Sequence, residues 1–156
     1  MSDKPDPKAV AVDALQQNWT HKFTYAFPPF NIIARTLKKV QAHRSSMIII
    51  TPTWNTQPFY PLLLQMVTQE PIMLPKSNNL LLDPAGNQHP LVTEGNLRLA
   101  AWLISGNPSK QKEFHSRLPS SSKMHDQQAL YHLMKQPGRN LIAGVAKEKL
   151  IRFTAM

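Results

Sequence analysis

The sequence contains no cysteine, only five glycines and nine acidic residues, and no long apolar run. Without cysteine, the chain can form neither disulfides nor cysteine-ligated zinc or redox sites. No segment approaches the ~20 apolar residues of a membrane-spanning helix, and the first residues lack the apolar region of a secretory signal. We therefore expect an intracellular protein, in the nucleus or the cytoplasm, without a membrane partner.

Basic residues are abundant and unevenly distributed. The 156 residues include 18 Lys and Arg, which give a formal net charge of +9. Residues 1–104 hold a surplus of three positive charges, and residues 105–156 hold a surplus of six. Turn signals at residues 105–108 and a polar run at 118–123 mark the second segment. We predict an α/β domain over residues 1–104 and a basic, partly disordered extension over residues 105–156.

Apolar and polar segments alternate within the first of these two parts. Residues 24–27 predict a strand because aromatic and β-branched side chains dominate them, and residues 46–51 predict a central strand buried on both faces. Asn31 is expected to cap a helix that ends near His43, and a second helix is expected over residues 57–67. Further apolar runs occupy residues 72–74, 80–82 and 97–104, the last being a short helix or a buried segment. This alternation predicts a layered α/β sheet with helices on both faces.

The strongest chemical signal is Phe27-Pro28-Pro29-Phe30, between the first strand and the first helix. A Pro-Pro pair has no N–H donors and leaves carbonyls free to point outward, and an aromatic side chain beside it can stack on an extruded base. The alternative is a proline turn whose flanking phenylalanines pack in the core. The four residues do not decide between these interpretations.

Other candidate sites are weaker. Arg35, Lys38 and Lys39 lie off the apolar face of the first helix, and we expect them to contact phosphates. The six histidines are scattered without metal-ligand spacing, so no metal site is predicted. The acidic residues do not cluster into a hydrolase pair.

The order of several motifs resembles a known family. It consists of Val12-Asp13-Ala14-Leu15, Trp19, Tyr25-Ala26-Phe27-Pro28-Pro29-Phe30, Lys39-Val40 and Ile48-Ile49-Ile50-Thr51-Pro52. This order is similar to the Dam-like adenine methyltransferases of phages. Together with residues 52–61, 89–91 and 100–106, it is more similar still to the region that follows RNase H in polyproteins of DIRS-type retrotransposons. The resemblance covers roughly residues 5–118.

The resemblance implies an incomplete Rossmann-like, three-layer domain that lacks the N-terminal cofactor-binding part. It places Asp13 near the adenine of S-adenosylmethionine, the carbonyl of Pro28 at the target amino group, and Phe30 as the stacking ring. Phe27 stands where the family has Asp, Asn or Ser, and its side chain cannot accept a hydrogen bond. We therefore expect no cofactor in this fragment and no standalone catalysis.

The function expected from the resemblance is a retroelement-derived, methyltransferase-like fragment with weak, non-specific affinity for DNA or RNA. Its other partners would be polyprotein segments: reverse transcriptase, RNase H and tyrosine recombinase. Two alternatives stay open. One is an S-adenosylmethionine-dependent DNA adenine methyltransferase completed by another chain, and the other is a ligand-free structural spacer.

Overall fold

The computed structural model describes residues 13–76, 81–82, 85–88, 90, 97–118, 142–146 and 149–155. This part of the chain forms seven strands and three α-helices, with one turn of 3-10 helix at Phe30–Ile32. The strands are β1 (Phe23–Ala26), β2 (Ser46–Pro52), β3 (Ile72–Met73), β4 (Leu99–Ser105), β5 (Ile142–Ala146), β6 (Lys149–Arg152) and β7 (Thr154–Ala155), and the helices are α1 (Ile33–Ala42), α2 (Tyr60–Met66) and α3 (Pro108–Ser116).

Five of the strands form one mixed sheet, in the order β1-β2-β4-β3-β7. β1 runs parallel to β2, whereas β2 and β4 pair antiparallel over their full seven residues. β4 is also antiparallel to β3, which is parallel to β7, and β5 and β6 form a separate antiparallel pair. The predicted α/β class is confirmed. A Rossmann-like arrangement is not confirmed, because doubly wound folds of that type have a mostly parallel sheet.

The two faces of the sheet differ in burial. Along β2, Met47, Ile49 and Thr51 are buried, whereas Ile48 and Ile50 are only half-buried. The buried residues oppose Ile104, Trp102 and Ala100 on β4, and together with residues of α1 and α2 they form the core cluster. The expectation that both faces of this strand are equally buried is therefore wrong. Because residues 47–50 are all apolar, their sequence does not show that only one face of the strand packs into the core.

The helix boundaries differ from those predicted. Asn31 does not cap α1, since the chain first makes a 3-10 turn in which the Ile32 N–H donates to the Pro29 carbonyl (3.0 Å), and α1 then begins at Ile33 without a side-chain cap. α2 begins at Tyr60 with Pro61 in its first turn, where a missing N–H is tolerated. Residues 97–104 were open to a helical interpretation, but residues 99–105 form strand β4 because they pair with β2 and β3.

Trp102 lies at the centre of the core and joins the early and late parts of the chain. Its fully buried ring makes edge-to-face contacts with Tyr60 and Phe153, at centroid distances of 5.7 and 5.4 Å. The Tyr60 hydroxyl donates to the Ala143 carbonyl (2.8 Å). The described strands after residue 141 therefore contribute to the same core as the first part of the chain. Residues 119–141 lie outside the described residues, and partial disorder there stays a prediction.

The C-terminal end of α1 is fixed against the turn that follows β4. The Ser45 N–H donates to the Val40 carbonyl and the Arg44 N–H to the Gln41 carbonyl, which is the Schellman pattern of helix ends. Gly106 lies directly on this end, with its N–H donating to the Ser45 carbonyl (2.8 Å). A Cβ atom at Gly106 would overlap the Val40 carbonyl oxygen. Only glycine therefore permits this approach of two backbones.

None of the helices in the described residues is long and apolar enough to cross a membrane. Among the same residues, none of the peptide bonds is cis, and Asp13, His21 and Arg44 adopt positive φ.

Replacing Gly106 by alanine should lower the free energy of unfolding by about 3 kcal/mol or more, because the added methyl group overlaps backbone that cannot rotate away. Urea denaturation measures the loss. Gly86→Ala is the control: an alanine at the φ of 85° of Gly86 should lower the free energy of unfolding by about 1 kcal/mol, but its added methyl group meets open space. Equal losses in the two variants would contradict the close approach.

Candidate functional site

The segment Phe27-Pro28-Pro29-Phe30 forms a packed turn. Pro28 is buried, and the Phe30 ring contacts Trp54 edge-to-face at a centroid distance of 5.0 Å. The Pro29 carbonyl accepts from Ile32. Phe27 is 40% exposed and carries no hydrogen-bonding atom in its side chain. This geometry favours the interpretation as a proline turn, because the ring of Phe30, which was expected to stack on a base, packs against the ring of Trp54.

Asp13 lies on the surface, where its carboxylate is engaged locally. Oδ1 accepts from the Leu15 N–H (3.1 Å) and Oδ2 accepts from Nε2 of Gln16 (2.8 Å). The φ of 50° at Asp13 belongs to the same tight turn. The structure therefore places Asp13 as a turn residue, with both carboxylate oxygens bound within three residues of it.

The three cations of α1 have different surroundings. Arg35 and Lys38 are exposed on the side opposite the buried Ile33, Leu37 and Val40. Lys39 lies with Nζ 5.2 Å from the centroid of the Trp19 ring, a cation–π contact, and 3.4 Å from Nε2 of His43. Arg35 and Lys38 are thus available to a phosphate, whereas Lys39 is held against Trp19.

A cleft of about 600 Å³ opens between the end of α1, α2, α3 and β6. It is lined by Gln41, Arg44, Gln65, Gly106, Pro108, Gln111, Lys112, His115, Ser116 and Lys149. Three of these are cations, Arg44, Lys112 and Lys149, and none is acidic. We call it the basic cleft. Lys149 is held in place because its Nζ donates to the Leu118 carbonyl (3.3 Å).

Backbone contacts set the shape of the basic cleft. Gly106 brings the β4–α3 turn against α1, and Gln111 of α3 donates through Nε2 to the Ser105 carbonyl (2.6 Å). Arg44 occupies the position of the Schellman motif where glycine is preferred, with φ of 47°. An L-residue there costs roughly 1–2 kcal/mol. The fold thus places a long cation at the rim of the cleft in spite of an unfavourable backbone conformation.

The charge distribution along the chain contains a signal that the short motifs do not show. No Asp or Glu occurs between Asp13 and Glu70, although this stretch carries Lys22, Arg35, Lys38, Lys39 and Arg44. The stretch includes β1, α1, β2 and α2. A long acid-free run in a folded segment gives its cations no carboxylate partners within the run itself. The sequence alone therefore contained a pointer to an anion-binding surface in the first half of the chain.

Two other cavities have less chemical definition. One, of about 340 Å³, lies between α2 and β5 and is lined by Asn55, Tyr60, Leu64 and neighbouring residues. Burial raises the pKa of Tyr60, whose hydroxyl is a hydrogen-bond donor to a backbone carbonyl and stays protonated. The other, of about 580 Å³, contains Glu70, whose Oε2 accepts from the Thr154 hydroxyl (3.1 Å), and Arg117. Asp13, Pro28 and Phe30 line none of these three cavities.

Within the part of the chain that the structure describes, no group of three His, Asp or Glu side chains could hold a metal ion. Comparison of the chain with family models, with curated proteins and with solved structures finds no match. The site must therefore be interpreted from its own residues.

If the Phe30 ring is part of the core packing, Phe30 and Trp54 should be energetically coupled. In a double-mutant cycle, Phe30→Ala and Trp54→Ala should each destabilise the fold, and the coupling should be about 0.5–1.5 kcal/mol, as for other edge-to-face pairs. Chemical denaturation of the four proteins measures it. Strict additivity would contradict the contact and would leave Phe30 free to stack on a ligand.

Proposed function

We propose that this chain is a non-catalytic nucleic-acid-binding domain that contacts phosphates through its basic cleft. Arg44, Lys112 and Lys149 provide the contacts in the cleft, and the exposed Arg35 and Lys38 of α1 extend them along the helix. Cations that neutralise phosphates release condensed counterions, which gives affinity without sequence preference. The activity is binding of DNA or RNA, with no chemical step.

The observation that carries this proposal is the composition of the cleft. Three cations from three separate elements converge on one cavity, and none of the described residues that line it is acidic. Surface cations elsewhere can be compensated, as Arg117 is by Glu113 at 2.8 Å. A structural spacer would gain nothing from a cluster of like charges, because such charges repel one another. A polyanion removes that repulsion on binding.

The residues do not fit the role of an S-adenosylmethionine site. The carboxylate of Asp13 is engaged in its own turn, and the ring of Phe30 is engaged by Trp54. Pro28 is buried, and Phe27 cannot accept from a target amino group. Methyl transfer therefore has no support from these positions, and we derive no step through this cofactor.

The retroelement context is part of the same proposal. A segment of a DIRS-like polyprotein next to RNase H would work on nucleic acid, and a phosphate-binding surface suits that setting. The β1–α1–β2 unit, with two parallel strands joined through a helix, is the building block of Rossmann-like folds and is compatible with a methyltransferase-like origin. The proposed retroelement origin and the proposed Rossmann-like fold both rest on the sequence resemblance.

The test is a salt titration of nucleic-acid binding with matched charge variants. Fluorescence anisotropy of a labelled single-stranded oligodeoxythymidylate should give a logarithmic salt slope of about −3.5 if the three cleft cations and the two cations of α1 each neutralise one phosphate. Arg44→Gln should weaken binding and reduce the slope by about one unit. Arg98→Gln removes a cation just before β4, at the opposite end of that strand, and should leave both quantities unchanged.

A second variant separates binding from folding. Arg44→Gly relieves the positive φ and should leave the free energy of unfolding unchanged or raise it by up to about 1 kcal/mol. It should weaken binding as much as Arg44→Gln does. No binding by the wild-type chain at low salt, or equal effects of the Arg44 and Arg98 variants, would contradict the proposed function.

A further inference from the structure

Two exposed aromatic rings lie on β1, the strand at one end of the described sheet. Phe23 is 64% exposed and Tyr25 is 65% exposed, and among the described strands β1 pairs with β2 alone. They lie two residues apart, so both project from the same face of β1. This is the half-buried face, because Phe23 is paired with Ser46 and Tyr25 with Ile48. Exposed aromatic rings in a row are uncommon on a surface that has no binding partner.

The surroundings of the two rings are basic. His21 and Lys22 are exposed and come directly before β1. The Lys22 carbonyl accepts from the Ser46 N–H (3.1 Å), so the start of β1 lies beside the segment that carries Arg44. This whole region belongs to the acid-free stretch between Asp13 and Glu70. An anionic partner therefore meets positive charge at the end of the strand where the aromatic row begins.

The spacing of the rings favours an unstacked strand. Side chains two residues apart on a strand are about 6.6 Å apart, twice the ~3.4 Å rise per nucleotide in a duplex. Neighbouring bases can reach both rings only if the nucleic acid is extended and its bases are separated. Bases paired within a duplex have their faces covered by their neighbours. The row thus suits single-stranded nucleic acid.

We propose that Phe23 and Tyr25 form a stacking platform for the bases of single-stranded DNA or RNA, with the phosphates directed to Lys22 and Arg44. This inference rests on the proposed function and adds a substrate class to it: unpaired strands. The basic cleft supplies affinity for either form of nucleic acid. The aromatic row supplies the preference for the single-stranded form, since every base has a face that can stack on a ring.

The test compares a single-stranded oligodeoxythymidylate with a duplex of equal length over the same series of salt concentrations. Phe23→Ala and Tyr25→Ala should each weaken single-strand binding by roughly 5- to 100-fold. Duplex binding and the salt slope should change little. Tyr25→Phe keeps the ring and should bind like the wild type, and Val145→Ala trims another exposed apolar side chain on a strand and should have no effect.

The outcomes distinguish the two proposals. Loss of binding to both nucleic acids in Arg44→Gln, with selective loss of single-strand binding in the two ring variants, supports both. Binding that depends on Arg44 but not on the rings overturns the stacking platform alone. If the ring variants leave binding intact and instead convert a dimer into a monomer by light scattering, the row is a contact between two copies of the chain and the inference is wrong. Circular dichroism melting confirms that each variant is folded.

Discussion

The close approach of Gly106 to the end of α1 is the constraint on which the rest of the molecule depends. The end of α1 and the end of β4 come into backbone contact because Gly106 lacks a Cβ atom. The hydroxyl of Ser46 donates to that of Ser105 at the same place, and the Ser105 carbonyl accepts from Gln111. These bonds fix the direction in which α3 leaves the sheet. The basic cleft exists because α1 and α3 diverge from this one point.

The antiparallel pairing of β2 with β4 determines which surface residues lie near this contact. It brings Ser46 opposite Ser105, so the start of β2 and the end of β4 share one end of the sheet. The parallel pairing of β1 with β2 brings Phe23 to the same end. Cations and exposed rings that are distant in sequence therefore become neighbours. The far end of the sheet carries Arg98 and Lys76 outside the basic cleft, and Arg98 supplies the control.

Local patterns predicted β1, β2 and α1 well, because aromatic, β-branched and periodic apolar residues act over a few positions. They left residues 97–104 open between a short helix and a buried segment, because Leu, Ala and Trp suit a helix about as well as a strand, and long-range pairing with β2 decided for the buried strand. The cleft could not be predicted, since Arg44, Lys112 and Lys149 come from three elements whose packing no local pattern encodes. For Phe30 the motif was visible in the sequence, but the contact of its ring with Trp54 depends on the packing of two separate segments, which no local pattern encodes.

The most direct test is a residue-resolved NMR titration of the chain with a short oligodeoxythymidylate at low salt. The account predicts that amide shifts concentrate at residues 22–25 and 44–46, at Gly106 and at Lys112, all at one end of the sheet. The amides of Asp13, Phe27 and Phe30 should change little. Shifts confined to these three amides, or spread evenly over the surface, would contradict a binding site built on the junction of α1 with the β4–α3 turn.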